Sequence, residues 1–230
     1  MKIKTLFTNF ISLLFPDLCV ICGEPLMENE KYFCFACFLK LPRTNYHLIP
    51  ENRAIERLAG KISLVKASSY LYYNKGGIAQ KLIAEIKYKG NLYLGEWIGS
   101  YLAKDMVPSG FFQGIDYMVP VPLHQSKEKK RGFNQAEKIA EGIAKVTNIP
   151  VETNNVLREK ANTSQTRKGI FDRWKNTRNL FTLKDSEFFE EKHILLIDDV
   201  LTTGSTLEAV ARSLLKSQRV KISILTLAIT

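Results

Sequence analysis

The apolar positions of the chain alternate between a strand-like and a helix-like spacing. Ile194–Ile197 is an uninterrupted apolar run, which marks a strand covered on both faces rather than one with a wet side. Tyr117–Pro122 reads as a second buried strand that ends in prolines, and Val220–Ile229 as a last one. Looser alternation over residues 62–74, and short apolar stretches at Val151–Leu157 and Phe181–Leu183, predict further strands. Between them the spacing becomes helical. Ile78, Leu82, Ile83 and Ile86 share one face; Leu92–Met106 and Ala136–Val146 predict two more helices; a fourth starts at Leu207, with Val210, Ala211 and Leu214. Asn74-Lys75-Gly76-Gly77 is a turn, and residues 40–60, with Pro42, Asn45, Pro50 and Gly60, read as a linker. Strands alternating with helices predict an α/β domain built on a parallel sheet flanked by helices.

The first fifteen residues could pass for an export signal, with Lys2 and Lys4 ahead of apolar Leu6–Phe15. Thr8, Asn9 and Ser12 interrupt that stretch, and Pro16-Asp17 follows where a small-residue cleavage site belongs. Ile3, Leu6, Phe7, Phe10, Ile11 and Leu14 recur at helical spacing, so this is read as an amphipathic helix lying on its own domain. No other stretch approaches the ~20 apolar residues of a membrane span.

All four cysteines lie close together, as Cys19-Val-Ile-Cys22-Gly23 and Cys34-Phe-Ala-Cys37. Two C-x-x-C pairs suit the two knuckles of a tetrahedral zinc site, and Gly23 suits the tight turn of one of them. Two disulfides or a redox pair are the alternatives. A cytosolic chain disfavours the first, and a redox motif would not come doubled. Four thiolates leave zinc no open position, so the metal would be structural. The net charge of +10 calls for anionic partners. It does not choose among polyphosphate, nucleic acid and acidic surfaces.

Chemistry concentrates after the Ile194–Ile197 strand, in Asp198-Asp199-Val200-Leu201-Thr202-Thr203-Gly204-Ser205-Thr206. Gly204 lets backbone approach an anion, the four hydroxyls donate to it, and the start of the following helix adds free N–H groups and a positive dipole end. Such a loop cradles phosphate. An acidic pair beside it would repel phosphate and must face something else, such as sugar hydroxyls or a metal ion. Lysines at Lys87-Tyr88-Lys89 before Gly90 read equally well as helix-end dipole partners or as anion ligands. A second strand–loop–helix, Val121 to Gln135, carries Lys127, Lys129, Lys130 and Arg131, with Asn134 and Gln135 as helix caps or anion donors. Residues 158–178 hold seven basic residues against Glu159 and Asp172, and read as a mobile basic loop.

The Asp198–Thr206 segment resembles the phosphoribosyl-diphosphate (PRPP) motif of type I phosphoribosyltransferases. Together with the cysteine knuckle, Val119-Pro-Val-Pro122, Arg131-Gly-Phe-Asn-Gln135, and Arg158 with Gln165, Arg173 and Asn176, it makes the chain similar to the ComF competence proteins. The resemblance implies a type I phosphoribosyltransferase fold with an N-terminal zinc knuckle: residues 1–50 for the amphipathic helix and finger, 51–230 for the main domain, and about 60–105 for its hood. It implies Asp198 and Asp199 on the ribose hydroxyls, in a catalytic role, with Val200 beside them, and Thr202, Thr203, Gly204, Ser205 and Thr206 on the 5′-phosphate. Val121, Pro122, Lys130 and Arg131 would face diphosphate and its Mg²⁺, with Arg158 and Arg167 from the basic loop. It further implies a cytoplasmic role in natural transformation, with single-stranded DNA and the DNA-uptake machinery as partners, near the membrane only through those partners. Tyr88, Phe133 and Trp174, set among basic residues, are candidate base-stacking side chains. A metabolic phosphoribosyltransferase acting on a base or amine is the alternative. No side chain stands out as a general base.

Overall fold

A computed structural model describes residues 16–88, 90–158 and 180–230. The N-terminal helix expected before Pro16 and the basic loop 159–178, with Gln165, Arg167, Arg173, Trp174 and Asn176, lie outside the described residues. The helices are α1 (Phe35–Leu39), α2 (Arg53–Leu58), α3 (Ile78–Tyr88), α4 (Leu92–Met106), α5 (Gln125–Arg131), α6 (Gln135–Thr147) and α7 (Ser205–Leu214). The strands are β1 (Lys66–Tyr72), β2 (Tyr117–Pro120), β3 (Val156–Arg158), β4 (Phe181–Leu183), β5 (His193–Leu201) and β6 (Lys221–Ile229).

Four strands form one parallel sheet in the order β1-β6-β5-β2, and β3 pairs antiparallel with β4 in a separate ribbon. The period of two along a strand explains the continuous apolar run of β5. Leu195 and Ile197 point to one face of the sheet, where α3, α4 and α6 cover them, and Ile194 and Leu196 to the other, where α2 and α7 do. The result is a three-layer α/β fold, a parallel sheet between two layers of helices.

Two helices of the first layer cross unusually closely. A Cβ on Gly99 of α4 would stand 2.1 Å from the carbonyl oxygen of Ile139, and one on Gly142 of α6 would stand 2.0 Å from that of Glu96. The missing side chains let the two backbones touch, and the Ser100 hydroxyl donates to the Gly142 carbonyl at 2.8 Å.

The cysteine knuckle shares this core. Cys19, Ile21, Phe33 and Cys37 are buried in the same cluster as α4. Phe33 meets Trp97 edge-on at 4.9 Å, and Phe38 meets Tyr101 at 5.1 Å.

Three stretches differ from expectation. Residues 40–60, read as a linker, run beside β1 and then form α2. Tyr72 N–H donates to the Pro42 carbonyl and Thr44 N–H to that of Tyr70. Asn52 caps α2 by accepting from the N–H groups of Ala54 and Ile55, and its own amide donates to the Ala67 carbonyl. Residues 125–131, read as loop, are helix α5. It is polar all round, so periodicity could not reveal it, but it has its ends in order: His124 caps it, and Gly132 closes it at φ 80°. The strand expected over 151–157 is confined to Val156–Arg158, with Val151 making an isolated bridge to Met118.

Candidate functional site

At the C-terminal ends of β2, β5 and β6 lies a cavity of about 510 Å³. This is the edge at which parallel α/β sheets take their ligands. β5 continues through the acidic pair before it ends at Leu201, so Asp198 and Asp199 are held by sheet hydrogen bonds rather than by a loose turn.

Of the residues singled out from the sequence, Asp198, Asp199, Val200, Thr202, Thr206, Val121, Pro122, Arg131 and Arg158 line this one cavity. Thr203 and Ser205 are exposed on the loop and hydrogen-bond each other through their hydroxyls at 2.9 Å. Gly204 is buried and takes φ 78° at the start of α7. Lys130 faces a neighbouring hollow instead.

The loop Thr202–Gly204 is clamped from behind by α2, whose importance the sequence reading missed. Arg57 donates to the carbonyls of Thr202 at 2.6 Å and Thr230 at 2.7 Å, and Lys61 to that of Thr203 at 2.7 Å. Leu58 abuts Gly204 so closely that a Cβ there would stand 2.6 Å from its Cδ2. The Thr202 and Thr203 carbonyls are thus satisfied from outside the loop, and Ser205 N–H, the first of α7, makes a long bond to Thr203 Oγ1 at 3.4 Å.

The acids are not equivalent. Lys87 Nζ, from the last turn of α3, reaches Asp199 Oδ2 at 2.5 Å. The sequence left Lys87 open between dipole partner and anion ligand; in the free chain it is the counter-ion of the acidic pair. Burial, and then the neighbouring charge of Asp199, push the Asp198 carboxyl up to about 7, against the pull of the Asp199 N–H, Lys87 and Arg158. Two adjacent carboxylates in a desolvated site resist ionising together.

Arg131-Gly-Phe-Asn-Gln135 resolves into distinct tasks. Asn134 caps α6 through Ala136 N–H and donates its amide to the Val121 carbonyl at 3.0 Å, fixing the end of β2 against the helix. Gln135 lines the cavity but is 2% exposed; its Oε1 accepts from Arg131, and its buried Nε2 has no partner among the described residues. Phe133 is buried in the core, so it is not a stacking platform; Tyr88 remains 74% exposed. Arg158 lies over the Phe181 ring, and burial depresses its pKa while Asp198 opposes that. Its Nε is also without a partner.

The four cysteine Sγ atoms lie within 4.8 Å of one another, Cys22 and Cys34 at 3.7 Å, and none is in a disulfide. Zinc–sulfur bonds of about 2.3 Å in a tetrahedron put sulfurs about 3.8 Å apart, so the cluster fits a structural zinc. Burial works against a Cys19 thiolate, but backbone N–H groups of Cys22, Cys34 and Ile21 outweigh it and set its pKa at about 6. Burial and the other sulfurs push Cys37 up. A divalent metal would resolve this crowding of thiolates.

Among the described residues no helix is long and apolar enough to cross a membrane. Residues 129–229 match the phosphoribosyl transferase domain family. The chain is 26% identical over 220 residues to the DNA utilization protein YhgH of Escherichia coli K12, covering 89% of this chain and 93% of that one. It is 25% identical over 211 residues to the competence protein ComFC of Bacillus subtilis, covering 83% and 81%. Among solved structures it is similar to the glutamine PRPP amidotransferase of B. subtilis, with a TM-score of 0.40 and 18% identity over 56% of this chain and 25% of that one. The chain is thus similar to the ComF and YhgH proteins, matches the phosphoribosyl transferase domain family over residues 129–229, and carries a four-cysteine cluster near its N-terminus.

Proposed function

We propose that the cavity binds PRPP or a related phosphoribosyl ligand, and that the protein uses this site in handling single-stranded DNA during uptake. One observation carries the reading: an acidic pair on a strand end, an anion loop with a left-handed glycine, and basic side chains from three other elements line one cavity. Asp198 and Asp199 take the ribose 2′ and 3′ hydroxyls. The Thr202–Thr206 loop takes the 5′-phosphate. Val121, Pro122 and Arg131, with Arg158, face the diphosphate.

Lys87 occupies Asp199 Oδ2, so a ligand hydroxyl that takes this oxygen does so in exchange for the ammonium. The freed ammonium remains on the cavity wall, where an anionic group meets it. Mg²⁺, when bound, would neutralise the diphosphate; carboxylate oxygens at Asp198 and Asp199 are hard donors of the kind it prefers. If transfer occurs, breaking the bond from C1 leaves positive charge on the ribose and negative charge on the leaving diphosphate. Arg131, Arg158 and Lys87 are placed to stabilise the latter. α3, from the stretch 60–105 that we propose as a hood, supplies that lysine.

The names of the relatives support the DNA-handling role, as does the net charge of +10. The alternative, a metabolic transferase using a free base or amine, is favoured by the intact acidic pair, for which a pure DNA binder has no use. Calorimetric titration of Mg²⁺–PRPP into the wild type and into Asp198→Asn/Asp199→Asn tests the site. Binding by the wild type alone is expected. Equal binding by both would remove the assignment. Affinity for single-stranded DNA that falls steeply with salt would favour the first role over the second.

A further inference from the structure

Beside the cavity, and sharing a wall with it, is a second hollow of about 500 Å³. Among the described residues its lining is Lys87, Tyr88, Gly90, Lys127, Lys130 and Arg131: four cations, one aromatic ring and no carboxylate. Two helix ends build it. On α5, Lys127, Lys130 and Arg131 stand at i, i+3 and i+4, so they share a face, whereas Lys129 does not join them. On α3, Lys87 and Tyr88 close the last turn. Lysines placed merely to complement helix dipoles would have no reason to converge from two helices on one hollow. The Arg131 guanidinium lies over the Tyr88 ring at 5.5 Å, and that ring is 74% exposed. An aromatic left so exposed gains little from folding and is free to stack on a ligand.

We infer that this hollow is an adjoining binding site for a phosphate-bearing nucleotide, its phosphate held by Lys127 and Lys130, with Arg131 on the wall shared with the main cavity, and its base stacked on Tyr88. The chemistry disfavours a neutral free base, which would leave Lys127, Lys130 and Arg131 without counter-charge. It also disfavours a bare polyanion, which has no use for the ring. Lys87, Tyr88, Lys127 and Arg131 line both spaces, so a nucleotide here sits directly against whatever occupies the main cavity. A role for this nucleotide as acceptor of the phosphoribosyl group would rest on the reading given above; its binding does not. A free nucleotide and the end of a strand carry the same recognition groups, and the test separates them by length.

The test is calorimetric titration of the full chain with dTMP, with the 5′-phosphorylated tetranucleotide of thymidine, with thymidine and with inorganic pyrophosphate. Wild type, Lys130→Glu, Tyr88→Ala and Asp198→Asn/Asp199→Asn are compared after their melting curves show them folded. The expected result is nucleotide binding that weakens about tenfold or more in Lys130→Glu, since a reversed charge repels phosphate. It should weaken about fivefold or more in Tyr88→Ala, as loss of one base stack implies. It should persist in the double aspartate variant, and thymidine should bind weakly if at all. Tighter binding of the tetranucleotide than of dTMP would identify a strand end, and equal binding a free nucleotide; both uphold the site. Nucleotide binding that neither variant changes would overturn it. So would pyrophosphate binding as tightly as dTMP and indifferently to Tyr88, because the hollow would then read charge alone. If Mg²⁺–PRPP fails to bind while nucleotide binding follows this pattern, the phosphoribosyl reading falls and the second site stands.

Discussion

Gly142→Ala is the sharpest test of the packing that holds the site. Alanine is the better helix former by up to about 1 kcal/mol, so on local grounds the change stabilises α6. The crossing with α4 argues the opposite. The new Cβ would sit 2.0 Å from the Glu96 carbonyl oxygen, against an ordinary contact of 3.4 Å or more, and 2.8 Å from the Ser100 nitrogen. These are backbone atoms inside a helix, so no side chain can swing away. The helices must part by about 1.4 Å, and a gap of 0.5–1 Å already forfeits a quarter to a half of each contact's attraction. Overpacking of this kind costs about 1–3 kcal/mol or more, and the Ser100–Gly142 bond, worth about 1 kcal/mol, goes with it. Net destabilisation of about 2–3 kcal/mol is expected, a fall of roughly 5–10 °C in Tm for a chain this size. Gly95→Ala is the control on α4: its Cβ comes no nearer than 3.0 Å to the Lys138 Cβ, 3.6 Å to the Ile86 side chain and 4.0 Å to the Lys138 backbone, so it should stay within about 1 kcal/mol of wild type. The assay is urea and thermal unfolding by circular dichroism. A Gly142→Ala protein as stable as Gly95→Ala would refute the account of the crossing.

Three further outcomes are expected. Gly204→Ala should lose about 1–2 kcal/mol from its left-handed φ of 78° and more from Leu58; Leu58→Ala in the same chain should relieve only the second part, so unfolding curves of the two singles and the double would show strong non-additivity. Asp198→Asn should stabilise the fold at pH 8 but not at pH 4: the native carboxyl, raised to about 7 from 3.8, holds its proton while the unfolded one has released it, so wild-type stability falls as pH rises from about 4 to 7 and is flat above. Melting curves across that range should show the gap opening, and a gap independent of pH would sink the assignment. Stripping metal with a chelator should lower Tm by roughly 5 °C or more and, in a Trp174→Phe background, red-shift the emission of Trp97, which packs on Tyr32 and Phe33; unchanged melting and emission would exclude a structural metal.

Much of the fold was legible because its signals are local. The double-sided burial of β5 shows as four successive apolar residues, and Leu92–Met106 declares its helix by spacing alone. The junction of β5, the Thr202–Gly204 loop and α7 was legible because an apolar run, a glycine among hydroxyl residues and a helical spacing follow one another without a gap. What was hidden depends on contacts distant in sequence. α2 and α5 are short and held by caps, Asn52 and His124, that resemble any polar residue in a loop. The clamp of Arg57 on Thr202 spans 145 positions, and the Lys87–Asp199 pair needs α3 laid over the strand end. Phe133 misled because basic neighbours suggested exposure, whereas its place between a left-handed Gly132 and the capping Asn134 turns it inward.

The aromatic seam between knuckle and α4 bears on how the protein can be divided. A fragment beginning near residue 50 would keep the sheet, the anion loop and the acidic pair, yet would bare Trp97 and Tyr101 along one flank, together with the apolar floor that Ile21, Phe33 and Leu41 now cover. Exposed apolar surface of that kind drives self-association. Such a fragment should be recovered as aggregates or fusions rather than as a working domain, and poor yield from it would say nothing about the activity of the site it contains.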